Sequence, residues 1–200
     1  RREGKLWRAD TEEGSFRGRI LVNAAGPGAL DLLAAGGVNE KRGMRLVRGS
    51  HIVVPSLFDH DFSYFFQLPD GRIFFAIPYE DDFTLIGTTD ADHTGTLDQV
   101  AASEEEIAYI CEGANRFFAR SIAPSDVVWS YAGVRPLLDN GADKPEAATR
   151  GYSLELSAEQ DGAPLLNVFG GKLTVYRHLA EDAVNQLAER LSLSNPKPWT

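Results

Sequence analysis

A single cysteine, Cys111, leaves no partner for an internal disulfide and no basis for a cysteine metal cluster. That scarcity suits a cytoplasmic protein. Long apolar runs are also missing: "IVVP" and "IFFAIP" fall far short of the roughly 20 residues a membrane-spanning helix needs. The opening "RREGKLWRAD" has charge but no apolar stretch behind it, so no signal peptide is read there. Positive charge is in deficit, with 20 Lys and Arg against 29 Asp and Glu and a net charge of -9. Nucleic acid and anionic lipid both need clustered cations, so neither is expected as a general partner and any anion site must be local. Neither a GxGxxG fingerprint nor a GxxxxGK[ST] P-loop is present. His60, His93 and His178 show no metal-ligand spacing, and no metal is assigned to them.

What is present is a globular composition, 43% hydrophobic and 24% charged over 200 residues, enough to bury a substantial core. "FRGRILVNAA" (16–25) reads as a buried strand closed by the turn "GPG", and "ALDLLAAGG" as a short helix ended by Gly36 and Gly37. "MRLVRGSHIVV" is a strand stopped by Pro55. "SYFFQL", "RIFFAIPY" and "FTLIGTTD", separated by "PDG" and "EDD", have the spacing of an antiparallel meander. Ser103 stands three residues before Glu106, the capping-box spacing. Ile107, Ile110, Cys111, Ala114, Phe117 and Phe118 then recur at helical intervals, predicting a helix that covers a sheet, with Cys111 as a core residue. "DVVWSYAGVRPLL", "YSLELS" and "LLNVFG" are further strands, and a final helix runs over 172–191. The fold class is mixed α/β (α+β) with an antiparallel middle. The chain begins at an arginine inside a strand-rich segment, which suggests a piece cut from something longer.

Several residues carry chemistry. "FGGKLTVY" runs a strand into a helix start, where unpartnered amides and the helix dipole favour negative charge. Gly170 and Gly171 would let a flat or anionic ligand approach, and Lys172 and Thr174 add a cation and a hydroxyl. As an isolated "GGK" it reads as a strand-to-helix turn that uses glycine for geometry alone. His51, at the start of a strand behind Gly49 and Ser50, has a ring suited to general base work. Arg135 lies in an apolar strand before Pro136, where a guanidinium must meet an anion or hydrogen-bond acceptors. Arg150 closes a polar loop; two arginines on different segments suit a phosphate, although each also has a structural reading.

Taken together, "ILVNAAGPG", "RLVRGSHIVVP", "FAIPYEDDFTLIGTTD", "VVWSYAGVRPLL", "EAATRGYSLEL" and "LLNVFGGKLTVYRHLAE" resemble, in order, the flavin-dependent glycerol-3-phosphate dehydrogenase family. The resemblance implies an FAD-binding domain and a substrate domain on an antiparallel sheet. Residues 1–42 would be a partial FAD domain, 43–164 the substrate domain and 165–200 a returning strand and helix of the FAD domain. It implies oxidation of sn-glycerol 3-phosphate to dihydroxyacetone phosphate, with electrons passed to a quinone, or to oxygen in oxidase members. By motif, Ala25, Gly26, Gly170, Gly171, Lys172, Leu173 and Thr174 would contact FAD, and Arg135, Arg150 and His51 the substrate. His51, Arg135 and Lys172 would be the catalytic set, with Thr88, Thr89 and Asp90 of "GTTD" mostly structural. The family's N-terminal fingerprint and the helical C-terminal domain of many members are missing, and Gly28 replaces a usual Trp. The fragment alone is therefore expected to be inactive, while the parent would be cytoplasmic and peripheral to the cell membrane. A glycine- or sarcosine-type flavin oxidase and a non-catalytic phosphate-metabolite domain are the alternatives.

Overall fold

The computed structural model describes residues 1–38, 43–87, 90–139, 151–157 and 162–193. In chain order the elements begin with strands β1 (Arg2–Glu3), β2 (Leu6–Thr11), β3 (Gly14–Gly18) and β4 (Leu21–Asn23). A 3-10 turn at Gly26–Gly28 leads into helix α1 (Ala29–Ala35). Then come β5 (Met44–Pro55), β6 (Tyr64–Gln67), β7 (Ile73–Tyr79), β8 (Phe83–Gly87) and β9 (Ala91–Asp92). Helix α2 (Glu104–Asn115) precedes β10 (Trp129–Leu138), β11 (Tyr152–Ser157) and β12 (Leu165–Gly170), and a 3-10 turn at Leu173–Val175 opens α3 (Tyr176–Leu191).

The chain divides into two compact units. The first holds Arg1–Arg45, Pro136–Ala142 and Ala148–Thr200, and the second Leu46–Arg135 with Asp143–Ala147. In the first, β1-β2-β3 form an antiparallel ribbon, and a second sheet has the order β11-β12-β4 with β4 parallel to β12. Its core gathers Trp7, Ala29, Leu33, Leu165 and Phe169. The boundaries expected from the sequence put residues up to 164 with the middle segment. The structure instead places β11 in the first unit, because it pairs with β12 along its whole length, from Tyr152↔Gly170 to Ser157↔Leu165.

In the second unit a sheet of order β10-β5-β8-β7-β6, with β9 on β5, realises the meander. Strand side chains alternate between faces. Ile52, Val54, Phe74, Ala76 and Ile86 point to one side and pack on Ile110, Cys111 and Ala114 of α2, so Cys111 is a core residue at 3% exposure. Burial pushes its thiol pKa up, with Asp126 adding to the effect, which keeps it protonated and unreactive. The capping box forms: the Glu106 amide donates to Ser103 Oγ at 3.2 Å and the Ser103 amide to Glu106 Oε2 at 3.0 Å. Such a cap is worth about 1 kcal/mol. Arg48 of β5 ties the same carboxylate to the sheet at 2.9 Å.

Two expectations are corrected. The strand expected over 16–25 is two strands, since β3 pairs with β2 in one sheet and β4 with β12 in another, and the chain must turn at Arg19 and Ile20 to change sheets. The final helix starts at Tyr176, with Lys172 capping the 3-10 turn before it.

Candidate functional site

The face of the second unit's sheet that looks away from α2 carries His51 and Arg135. His51 on β5 stands opposite Gly87 on β8. Its ring lies directly across that glycine: an added Cβ there would sit 2.1 Å from His51 Cδ2 and 2.5 Å from Cγ. On the other side the ring stacks on Tyr131 of β10, with centroids 4.8 Å apart and planes 3° from parallel. Arg135, on the same edge strand, lays its guanidinium over Gly49 of β5. A Cβ at Gly49 would meet both Nη1 and Nη2 at 2.3 Å. Asp90 holds Nη1 at 3.0 Å, so this member of "GTTD" has a definite task of orienting the arginine. Thr88 and Thr89 lie outside the described residues.

Electrostatics at His51 follow from these neighbours. Burial disfavours the imidazolium and the nearby Arg135 charge adds to that, so its pKa falls below the ordinary histidine value. The ring is neutral at pH 7 and can accept a proton. Its Nδ1 is buried and meets no hydrogen-bond partner among the described residues. Arg135 keeps 34% of its side chain exposed while its position is fixed, an arrangement suited to receiving an anion from outside the chain.

The first unit builds a second arrangement at the carboxyl ends of its parallel strands, β4 and β12, where open α/β sheets receive ligands. Asn23 closes β4 and is fully buried. Its Nδ2 donates to the Ala29 carbonyl at 3.0 Å and to Asn167 Oδ1 on β12 at 3.2 Å, while its Oδ1 accepts the Ala25 amide at 3.3 Å. This pins Ala25 and Gly26 to the neighbouring strand. Gly26 has φ +56°, and an added Cβ there would meet nothing within 4 Å among the described residues, so on their side its backbone is open to an approaching group.

At the end of β12 the two glycines serve the chain itself. Gly170 has φ +69°, and a Cβ on it would come within 2.6 Å of the Gly151 carbonyl oxygen, which also accepts the Gly171 amide at 3.0 Å. A Cβ on Gly171 would come within 3.1 Å of Leu179 Cδ1, so the local backbone itself requires both glycines, while Gly171 stays exposed. The open donors lie just beyond. Among the described residues the amides of Lys172, Leu173 and Thr174 find no acceptor, the turn's first internal bond being Val175 N–H to Lys172 O at 3.0 Å. All three residues are exposed, Leu173 at 87%. Beside them is an open hollow lined by Gly151, Tyr152, Lys172 and Val175.

Sequence residues 1–177 match the family of FAD dependent oxidoreductases. The chain belongs to that family. It is similar to a glycerol-3-phosphate dehydrogenase of Pseudomonas aeruginosa, 47% identical over 100% of this chain and 40% of the relative. A D-erythritol 1-phosphate dehydrogenase of Brucella abortus is 44% identical over 94% of this chain and 38% of its own length. Among solved structures, the glycerol-3-phosphate dehydrogenase from Bacillus halodurans complexed with FAD superposes with a TM-score of 0.75 at 31% identity, covering 92% of this chain and 35% of that one. The chain thus spans about two fifths of the curated relatives it matches.

FAD is the cofactor of this family, and the first unit fits it: open backbone at Gly26, a cation at Lys172 and free amides at a helix start all favour the electron-rich edge of a flavin. Of the expected site residues, the second unit brings His51 and Arg135 together, whereas Ala25, Gly26, Gly170, Gly171, Lys172, Leu173 and Thr174 belong to the first. Arg150 lies outside the described residues. Sequence reasoning missed Asn23, Asn167, Gly49 and Gly87. The two glycines did carry a signal, because glycine weakens a strand interior and marks a close approach.

Proposed function

We propose that the protein oxidises sn-glycerol 3-phosphate to dihydroxyacetone phosphate. The observation that carries this reading is the pairing on one sheet face of a neutral histidine with a fixed, outward-facing guanidinium, each seated on a glycine. Arg135 binds the phosphate bidentately, and Arg150 supplies a second cation. His51 takes the proton of the C2 hydroxyl as the C2 hydrogen leaves with its electron pair and the carbonyl forms. Bound FAD supplies the acceptor for that hydride. Ala25, Gly26 and the amides of Lys172, Leu173 and Thr174 hold the cofactor, and Lys172 opposes the negative charge that reduction adds. The resemblance to quinone-linked dehydrogenases supports a quinone as final acceptor.

Both curated relatives are named for phosphorylated polyols, which favours a phosphate over the amino-acid carboxylate of a glycine-type oxidase. Replacing Arg135 with alanine in the full-length, FAD-loaded parent tests the assignment. KM for glycerol 3-phosphate should rise far more than KM for glycerol, which has no phosphate to hold. Equal losses for the two substrates would remove Arg135 from phosphate binding.

A further inference from the structure

Three glycines surround His51 and Arg135 on the open sheet face, and the chain itself accounts for two of them. Gly87 is covered by the His51 ring and Gly49 by the Arg135 guanidinium. Among the described residues, nothing covers Gly133. It lies in β10 two residues from Tyr131 and two from Arg135, and strand alternation puts all three on one face. Exposure along the strand falls on the same alternating set, Trp129, Tyr131 and Gly133. Its φ is not in the left-handed region that would demand glycine. An added Cβ would meet no atom of the described residues within 4 Å. Glycine inside a strand costs roughly 0.5–1 kcal/mol relative to alanine. A glycine that neither backbone geometry nor packing requires, between a ring stacked on the base and a fixed guanidinium, marks where a group from outside comes down onto the backbone.

We propose that Gly133 is a specificity-determining position: the bare floor on which the carbon chain of a phosphorylated polyol lies, between Tyr131 and the phosphate held by Arg135. This rests on the reading that the protein oxidises such a substrate, and it adds the surface that sets how much carbon fits. A side chain at 133 would stand where the carbons lie and would leave the phosphate seat at Arg135 and Asp90 in place.

The test compares wild type, Gly133→Ala and Gly133→Val in the full-length, FAD-loaded parent. It measures KM for glycerol 3-phosphate, the inhibition constant of inorganic phosphate and the flavin content. KM should rise in the order Gly, Ala, Val, by roughly tenfold or more for valine, the scale on which pockets discriminate single methyl groups. Inorganic phosphate, which has no carbon chain, should inhibit all three with constants within about twofold, as for a change that leaves its seat untouched. Flavin content should be equal. Parallel weakening of substrate and phosphate would make Gly133 a mere support of Arg135 and overturn the proposal. Loss of flavin would make the cofactor the occupant and overturn it as well, and so would an unchanged KM. A wild type with no activity on glycerol 3-phosphate would bring down the underlying reading too, whereas an active wild type with indistinguishable variants would bring down this inference alone.

Discussion

Replacing Asn23 with alanine should destabilise the first unit by several times the effect of an ordinary surface change. The amide is fully buried and makes three hydrogen bonds, to the Ala29 carbonyl, to Asn167 Oδ1 and from the Ala25 amide. Alanine deletes all three and strands a buried side chain and two backbone groups. A hydrogen bond contributes about 1 kcal/mol net, and a buried group left without a partner costs about 1–3 kcal/mol, so the expected loss is about 2–4 kcal/mol. Urea denaturation can be followed through Trp7, which is 4% exposed and packs in the cluster with Ala29, Leu165 and Phe169. The double variant with Asn167→Ala should lose less than the sum of the single variants, with a coupling of about 0.5–2 kcal/mol. A single-variant loss below about 0.5 kcal/mol, or strictly additive losses, would refute the view that this pair locks the Ala25–Gly26 turn to β12.

Three further predictions concern glycines and the proposed base. Gly170→Ala should cost at least ~2 kcal/mol in the same urea assay, because the position combines a left-handed φ with a backbone oxygen 2.6 Å from the new methyl. Gly113→Ala should instead stabilise by roughly 0.5–1 kcal/mol through helix propensity. Its Cβ would touch Leu68 and Phe74 at 3.5 Å and 3.7 Å, ordinary contact distances, and a loss there would show that α2 sits closer to the sheet. For His51, the pKa is lowered by burial first and by the Arg135 charge second, and the base form exists above the pKa. The acid limb of kcat/KM should therefore lie below pH 6.5, and Arg135→Gln should move it upward by part of the shift. A limb above pH 6.5, or one that Arg135→Gln leaves in place, would separate His51 from the rate.

The elements with local causes were legible in the sequence. The meander followed from turn residues between short apolar runs, and the Ser103–Glu106 cap from spacing alone. His51 and Arg135 stood out because a titrating ring and a guanidinium are conspicuous in apolar strands. What sequence reading missed depends on contacts between distant parts of the chain. Asn23 and Asn167 are separated by 144 positions, and each reads singly as a polar residue at the end or middle of an apolar run. The break between β3 and β4 is invisible without knowing that their partners lie in different sheets. The Gly151 carbonyl that crowds Gly170 and accepts the Gly171 amide is an atom no side-chain pattern reveals. Gly49 and Gly87 become meaningful only once the side chains lying on them are placed.

In the proposed function, Arg135 and His51 select a phosphorylated polyol for oxidation by FAD in the full-length parent. The most direct test is anaerobic mixing of the full-length, FAD-loaded parent with glycerol 3-phosphate, glycerol, glycine or sarcosine while the flavin's visible absorbance is followed. Glycerol 3-phosphate should bleach the flavin at concentrations where the other three leave it oxidised. Bleaching by glycine or sarcosine with none by glycerol 3-phosphate would contradict the proposed function.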